Sequence, residues 1–304
     1  MRHRWFSFVL ATTLFLGAAT GSTAVAGAGS TPNVIPFHPI NSQYSAIKAG
    51  IDAQARAQDA QDSSATSPDT QPLAPTAPVK WVGLGPNGFS PSDARGAISP
   101  TEYIETVNVS VAVYNRAGVL TSSASQPAWT GIANARGDAD IVWDNNQNRY
   151  FASMLNIGSN YQLIFGFSKG PTPSAAANNW CFYTSTFGGV YGANLPDYPK
   201  LGMTNDFMLM GVNTFQNGQN YIGSDVAWVS KPPAGVIVLC PAISSFTMGV
   251  KQSLKNVDGS SASTPVPANL VDGGGTGYVV ANEDPGGGVS TVLSLFTVTK
   301  VGTS

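Results

Sequence analysis

The residues of this sequence best suited to chemistry are aspartates that recur at one kind of position. Each stands at, or just before, the start of a stretch that alternates like a β-strand, and the four are Asp93, Asp138, Asp140 and Asp197. Carboxylates gathered from several strands can coordinate Ca²⁺, and a pair of them can act as acid and base on a sugar. The alternative interpretation is that they cap turns by accepting hydrogen bonds from backbone N–H groups. The predicted metal ligands are Asp138, Asp140 and Asp197.

Basic and aromatic residues extend this candidate site. Among the arginines, Arg95 and Arg136 lie close in sequence to the aspartates. Tyr198 adjoins Asp197 and forms a candidate nucleophile pair with it, and the alternative is that Tyr198 packs where its strand begins. The predicted ligand-binding set is Asp93, Arg95, Arg136, Asp138, Asp140, Asp197 and Lys200. The candidates for a catalytic role are Asp138, Asp140, Asp197 and Tyr198.

Several other chemistries are disfavoured by composition. The two histidines, His3 and His38, both lie near the N-terminus. Ser-His-Asp and Cys-His hydrolases, and zinc or copper sites built on histidine, therefore lack their key residue. The formal net charge is −2 and the lysines and arginines form no cluster, so the sequence has no electrostatic footprint for nucleic acid.

The N-terminus has the pattern of a bacterial secretory signal. Residues 1–4 are basic, residues 5–19 are apolar, and residues 24–26 read Ala-Val-Ala, which places the cleavage before Gly27. We therefore expect a secreted, extracellular protein that keeps no membrane span once residues 1–26 are removed. In such a protein Cys181 and Cys240 are expected to form a disulfide, with two buried thiols as the alternative.

A hairpin over residues 138–155 organises the predicted fold. Apolar residues alternate through residues 141–143 and 150–155, and the run Asp-Asn-Asn-Gln-Asn between them favours a turn. Similar hairpins begin near Asp138, Asp197 and Pro267, roughly 60–70 residues apart, and each is followed by two strand-like runs, one of them over residues 235–240. This period predicts an all-β fold, a β-propeller with four-stranded antiparallel blades. The chain supplies about four blades, and a β-sandwich is the alternative.

The chain before the predicted propeller has a different composition. Residues 27–78 form a leader segment, with an Ala/Gln-rich helix over residues 47–61 and then a linker rich in Pro, Ser and Thr. The propeller is predicted over residues 79–304. In that fold the recurring aspartates surround one mouth of the central channel.

Three motifs resemble the repeats of a known family. Residues 137–144, followed by Arg149-Tyr150-Phe151, resemble the G-D-P-x-V-x-Y-D…R-W-F unit of secreted bacterial sialidase-like β-propellers. Residues 197–202 resemble the D-Y-P-K-L-G of the next blade, and residues 92–100 are similar to the opening P-D-T-N-G-A-V-G-P. The resemblance covers residues 81–298 and implies a propeller fold. The sequence departs from sialidases because it has no Asp-box, S-x-D-x-G-x-T-W, and because Arg95 and Arg136 fall one short of the arginine triad for a substrate carboxylate.

These observations predict a secreted, non-enzymatic β-propeller that binds a carbohydrate or an extracellular protein at the channel mouth, with Ca²⁺ as the candidate cofactor. Two alternatives stay open. One is a sialidase-like glycoside hydrolase. The other is a structural or truncated propeller fragment, which needs a partner chain to cover its open edges.

Overall fold

The computed structural model describes residues 80–85, 92–270, 275–283 and 292–300. The predicted signal sequence, leader segment and helix over residues 47–61 lie outside the described residues. Within the described ranges, no helix has both the length and the apolar character that crossing a membrane requires.

The described chain is all-β and forms four antiparallel sheets, in which each strand pairs with the next strand in sequence. The first sheet contains β1 (Arg95–Ile98), β2 (Glu102–Val107), β3 (Ser110–Asn115) and β4 (Leu120–Ser125), and the second contains β5 (Asp140–Asp144), β6 (Arg149–Ile157), β7 (Tyr161–Ser168) and β8 (Trp180–Ser185). The third sheet contains β9 (Asn194–Met203), β10 (Phe207–Gln216), β11 (Asn220–Ser230) and β12 (Met248–Lys251), and the fourth contains β13 (Ala262–Pro267), β14 (Thr276–Glu283) and β15 (Leu293–Thr299). A short helix, α1 (Gln126–Thr130), connects the first two sheets, and single 3₁₀ turns at Ala177–Asn179 and Ile243–Ser245 precede β8 and β12.

The β5–β6 hairpin forms where the alternating sequence predicts it. Asp144 pairs with Arg149 at its end. The turn between them is closed by Asp144, whose Oδ1 accepts hydrogen bonds from the backbone N–H groups of Asn146 (2.8 Å) and Gln147 (3.2 Å). The polar run forms a turn because the Asp144 side chain takes the place of a backbone acceptor.

Three apolar clusters fill the spaces between successive sheets. Representative members are Ile104, Ile141 and Met154 between the first and second sheets, Phe151, Phe165 and Met210 between the second and third, and Leu209, Val279 and Phe296 between the third and fourth. Full burial of a large apolar side chain contributes about 1.5–3 kcal/mol. The four sheets are therefore held together by face-to-face packing in the order of the sequence.

The first strands of successive sheets lie side by side, with β1 against β5, β5 against β9, and β9 against β13. Direct hydrogen bonds join the sheets in or beside these strands: Thr106 Oγ1 of β2 donates to the Ala139 carbonyl just before β5 (2.9 Å), Leu201 N to Asp140 Oδ2 (3.0 Å), and Met203 N to the Ala268 carbonyl just after β13 (3.1 Å). This arrangement brings the starts of three sheets, where the recurring aspartates lie, close to one another.

The prediction of an outer strand over residues 235–240 is wrong. That segment has no strand, and β12 completes the third sheet instead. Pro232 and Pro233 follow β11 and cannot donate a ladder hydrogen bond, so strand pairing stops before them. The chain then crosses to the second sheet, where Ile237 N donates to the Lys169 carbonyl (3.0 Å).

The predicted start of the last sheet at Pro267 is displaced as well. Pro267 ends β13 rather than beginning it, and Val266 pairs with Val280 across the β13–β14 ladder. Ser263 and Thr264 near the start of β13 read as loop residues because no apolar alternation runs through them.

The predicted disulfide between Cys181 and Cys240 is confirmed, with an S–S distance of 2.04 Å. It ties β8, the outer strand of the second sheet, to the segment between β11 and β12. A disulfide is compatible with an extracellular protein.

Candidate functional site

An uncommon backbone conformation recurs in or just before the first strand of each of the four sheets. Asp93, Asp138, Tyr198 and Thr264 have positive φ angles of 44°, 48°, 54° and 47°. Because residues other than glycine seldom adopt positive φ, its recurrence at equivalent positions identifies a structural repeat. In the third and fourth sheets the same place carries a shift in strand register, as in a β-bulge. The residues two positions further along are Arg95, Asp140, Lys200 and Val266.

This repeat gathers charged side chains from three sheets into one group, which we call the acidic cluster. It comprises Asp93 and Arg95 from the first sheet, Asp138 and Asp140 from the second, and Asp197 and Lys200 from the third. Asp197 and Lys200 are buried, and the other four are half-buried. The structure thus brings together six of the seven residues that the sequence predicts to bind a ligand.

The pKa of Asp138 is raised further than that of any other carboxyl in the acidic cluster. Its pKa is raised from 3.8 to about 7, chiefly by burial and then by the negative charges of Asp197 and Asp93. A hydrogen bond from Asp138 to the Asp93 carboxyl also favours the protonated form, and Lys200 opposes the shift. Near neutral pH, Asp138 therefore exchanges a proton easily.

The pKa of Asp197 is raised as well. Burial raises its pKa from 3.8 to about 6, the backbone N–H of Tyr198 and the ammonium of Lys200 counteract that rise, and Asp93 adds to it. Two carboxyls with raised pKa values thus stand on different sheets at one site.

Lys200 carries the buried positive charge of the acidic cluster. Burial and the neighbouring Arg95 lower its pKa from 10.5 to about 8, although Asp140, Asp138 and Asp93 favour the cation. Its Nζ lies 3.0 Å from the centre of the Tyr198 ring. The predicted nucleophile Tyr198 therefore presents its ring face to an ammonium group.

Asp140 differs from the other carboxylates because its oxygens are engaged by the backbone. Oδ1 accepts from Ile141 N (2.9 Å) and Oδ2 from Leu201 N (3.0 Å), which links the second and third sheets. Its pKa is raised by burial and lowered by these two N–H groups and by Arg95 and Lys200. The structure therefore agrees with the alternative interpretation for Asp140, which is a carboxylate that caps backbone N–H groups.

Arg136 does not join the acidic cluster. Its side chain is exposed, and it is not among the charged groups that shift the pKa values of Asp138, Asp140 and Asp197. The chain turns directly after it, because Gly137 and Asp138 both have positive φ, of 83° and 48°. Closeness in sequence therefore does not place Arg136 with the aspartates.

Ser153 is a buried polar residue beside Asp140 that the sequence reasoning missed. It pairs with Asp140 across the β5–β6 ladder, and its neighbours along the same face, Phe151 and Leu155, pack in the cluster against the third sheet. Its side chain is fully buried (0% exposed) and its hydroxyl has no hydrogen-bond partner. The available signal was a serine between Phe151 and Leu155 on the inward face of β6.

The described residues contain no group of three or more His, Cys, Asp or Glu side chains arranged to hold a metal ion. Both oxygens of Asp140 already accept backbone hydrogen bonds. Calcium binding by Asp138, Asp140 and Asp197 stays a prediction.

A second charged group lies at the β5–β6 turn and serves the fold. Lys231 Nζ contacts Asp144 Oδ2 at 2.7 Å, and both side chains are buried, at 5% and 6% exposure. Arg149, 1% exposed, donates to the carbonyls of Ser168 (3.4 Å) and Gly235. These contacts fasten the segment after β11 to the second sheet.

No protein-family model, no curated protein and no solved structure matches this chain. The resemblance to sialidase-like propellers therefore rests on the motifs alone and stays a prediction.

Proposed function

We propose that this chain is a secreted binding module that takes a carbohydrate or an extracellular protein at the acidic cluster, and that its sheets are consecutive blades of a β-propeller. The observation that carries the proposal is the convergence of Asp93, Asp138 and Asp197, from three sheets, at one place. Bringing carboxylates together costs free energy, because they repel one another and lose solvation on burial. Such groups are more typical of binding sites than of ordinary turn caps.

The arrangement of the sheets supports the propeller part of the proposal. Each sheet is an antiparallel meander, the first strands of successive sheets are neighbours, and apolar clusters fill the spaces between the sheets. Propeller blades have these properties, and their first strands line a central channel. In such a fold the acidic cluster lies at one mouth of that channel.

A glycan array and a pull-down from extracellular medium, both with the purified chain, test the binding role. Replacement of two carboxyls together, Asp138→Asn with Asp197→Asn, is expected to abolish the captured signal. The matched control is Asp206→Asn, because Asp206 is exposed and lies outside the acidic cluster. Equal capture by the wild type and the double variant would remove the acidic cluster from the proposal.

The predicted binding of Ca²⁺ at the acidic cluster has a separate test. Titration of the EDTA-treated chain with CaCl₂ is expected to release heat and to raise the melting temperature, and the double variant is expected to lose both effects. The absence of heat and of any change in melting temperature in the wild type would exclude Ca²⁺ as the cofactor.

A sialidase-like hydrolase is the second candidate, and the raised pKa of Asp138 favours it. A carboxyl that titrates at about 7 can act as a general acid near neutral pH. However, glycosidase carboxyl pairs stand about 5–9.5 Å apart. Asp138 and Asp93 are hydrogen-bonded to each other, so Asp197 is the better partner. This candidate predicts hydrolysis of a fluorogenic sialoside that is lost in Asp138→Asn, and the absence of turnover across fluorogenic glycosides would exclude it.

A further inference from the structure

A run of apolar side chains stands in solvent between β11 and β12. Val236, Val238 and Leu239 are 78%, 79% and 83% exposed, and Ile243, which begins the 3₁₀ turn before β12, is 41% exposed. We call residues 236–243 the apolar loop. Single exposed apolar residues are ordinary on a protein surface, whereas several in one short segment mark a surface that contacts another molecule or phase. A partner that removes these side chains from water therefore gains free energy from binding them.

The apolar loop is fixed to the second sheet. Ile237 lies between two of the exposed side chains and turns inward, where its side chain packs against the apolar cluster between the second and third sheets. Its N–H donates to the Lys169 carbonyl (3.0 Å). The Cys181–Cys240 disulfide anchors the same loop to β8. The exposed side chains are thus held in place before any partner binds, which lowers the conformational entropy that binding has to remove.

The apolar loop lies in a stretch of sequence without charged side chains. Residues 232–250 contain no Asp, Glu, His, Lys or Arg. Lys231, which precedes this stretch, is buried in its ion pair with Asp144. Complementary charges steer protein partners to one another and reject wrong partners. The loop has no such pattern of charge along its own sequence.

The side-chain types of the apolar loop also favour lipid over protein. The residues that contribute most to protein–protein interfaces are Trp, Tyr and Arg, whereas Val and Leu are under-represented among them. The same aliphatic side chains enter a bilayer favourably. More than three quarters of the surface of Val236, Val238 and Leu239 is exposed. A fluid acyl layer can surround side chains that protrude in this way, whereas a protein would need a matching pocket.

We propose that the apolar loop is a membrane-contact site, at which the folded chain binds the surface of a lipid bilayer by inserting Val236, Val238 and Leu239 just below the headgroups. Insertion stays shallow because the main chain of an irregular loop needs hydrogen-bond partners, which the headgroup region supplies. Asp140 of the acidic cluster lies on β5, at the opposite edge of the second sheet from β8. The contact with lipid is therefore a second binding activity, separate from the proposed function.

Co-sedimentation of the purified chain with vesicles tests the proposal. The vesicles consist of phosphatidylcholine alone, or of phosphatidylcholine and phosphatidylglycerol in equal parts. We expect the wild type to bind both, and its binding to phosphatidylcholine to be unaffected by added NaCl, since salt screens ionic contacts and not apolar ones. Leu239→Asp is expected to lower the vesicle partition coefficient at least about tenfold, because a carboxylate enters the acyl region far less favourably than a leucine side chain.

Val257→Asp is the matched control, because Val257 is 52% exposed in a turn outside the apolar loop and the substitution adds the same charge. Its partition coefficient is expected to equal that of the wild type. Melting temperatures of the two variants establish that both are folded. Hydrogen exchange provides a readout on the wild type alone: vesicles are expected to slow exchange over residues 236–243 and to leave exchange at Val257 unchanged.

The absence of wild-type binding to both kinds of vesicle would overturn the proposal, and so would equal partition coefficients for the wild type and Leu239→Asp. Binding that requires phosphatidylglycerol and is lost in NaCl would show an ionic contact and would also overturn it. A wild-type dimer in sedimentation velocity that Leu239→Asp dissociates would assign the apolar loop to a second copy of this chain instead. None of these outcomes affects the acidic cluster, whose binding role is tested by the glycan array and the pull-down.

Discussion

Asp93 and Asp138 belong to different sheets, yet their carboxyl groups lie close enough that Asp93 raises the pKa of Asp138. Both residues have positive φ, of 44° and 48°, and each lies two positions before a charged residue of the first strand of its sheet. The negative charge of Asp93 therefore favours the protonated form of Asp138. The repeat of the backbone thus places beside Asp93 a carboxyl, that of Asp138, whose pKa is raised to about 7.

Replacement of Asp138 by Asn is expected to change the pH dependence of stability. The folded chain holds the Asp138 proton with a pKa of about 7, above the ordinary 3.8. Its stabilising contribution is therefore complete below about pH 4 and is lost as the pH rises through about 7. Asp138→Asn should raise the free energy of unfolding, relative to wild type, by on the order of 1–2 kcal/mol more at pH 8 than at pH 5. Urea unfolding at the two pH values measures this difference.

The control for that experiment is Asp206→Asn, since Asp206 is an exposed carboxyl of the same type. It is expected to shift stability equally at both pH values. A pH-independent effect of Asp138→Asn would contradict the raised pKa of Asp138.

Reduction of the Cys181–Cys240 disulfide is expected to lower the free energy of unfolding by about 3–4 kcal/mol, because the bond closes a loop of 59 residues in the unfolded chain. It should also expose the segment after β11 to protease, since Val238 and Leu239 are 79% and 83% exposed and contribute little packing. Urea unfolding with and without reductant, and mass analysis of limited digests, measure the two effects. The double variant Cys181→Ser with Cys240→Ser should behave like the reduced chain and be insensitive to reductant. Identical stability with and without reductant would contradict this role.

Local sequence pattern was sufficient for much of this fold. The β5–β6 hairpin could be predicted because its apolar alternation and its polar turn, closed by Asp144, both act within a few residues. The gathering of the aspartates was predictable because they precede strands at a repeated interval. The disulfide followed from two cysteines in a chain whose N-terminus has the sequence pattern of an export signal.

Features that depend on distant partners could not be read in the same way. Residues 235–240 look like a strand, but the prolines before them and the bond from Ile237 to Lys169 carry them to another sheet. The approach of Asp93 to Asp138 and the contact of Lys200 with Tyr198 occur where Asp93, Asp138 and Tyr198 have positive φ, at positions where the sequence has no glycine. The isolation of Ser153 is visible only once its neighbours are in place.

Loss of the Asp144–Lys231 pair should destabilise the fold without affecting ligand binding. Lys231→Met leaves the Asp144 carboxylate buried, although two backbone N–H groups still donate to it. We expect the free energy of unfolding to fall by about 3 kcal/mol, in the range for a buried ion pair that has lost one partner. Adding Asp144→Asn should recover part of that loss, because the unpaired charge is then gone. Urea unfolding of the two single variants and the double variant measures the coupling, and strictly additive losses would contradict it.

Gly211 is the residue whose substitution should most directly separate the third and fourth sheets. A Cβ at Gly211 would overlap the Pro265 carbonyl oxygen, because β10 and β13 meet there backbone to backbone. Gly211→Ala is therefore expected to cost more than about 3 kcal/mol and to broaden the unfolding transition, since the strands cannot move apart without losing the packing of Leu209 and Val279. Gly170→Ala is the matched control, because a Cβ there meets no atom within 4 Å and the residue has no positive φ. Comparison of the two variants by calorimetry, with hydrogen exchange on β13 and β14, measures the effect. Equal melting temperatures for the two variants would contradict the close contact between these sheets.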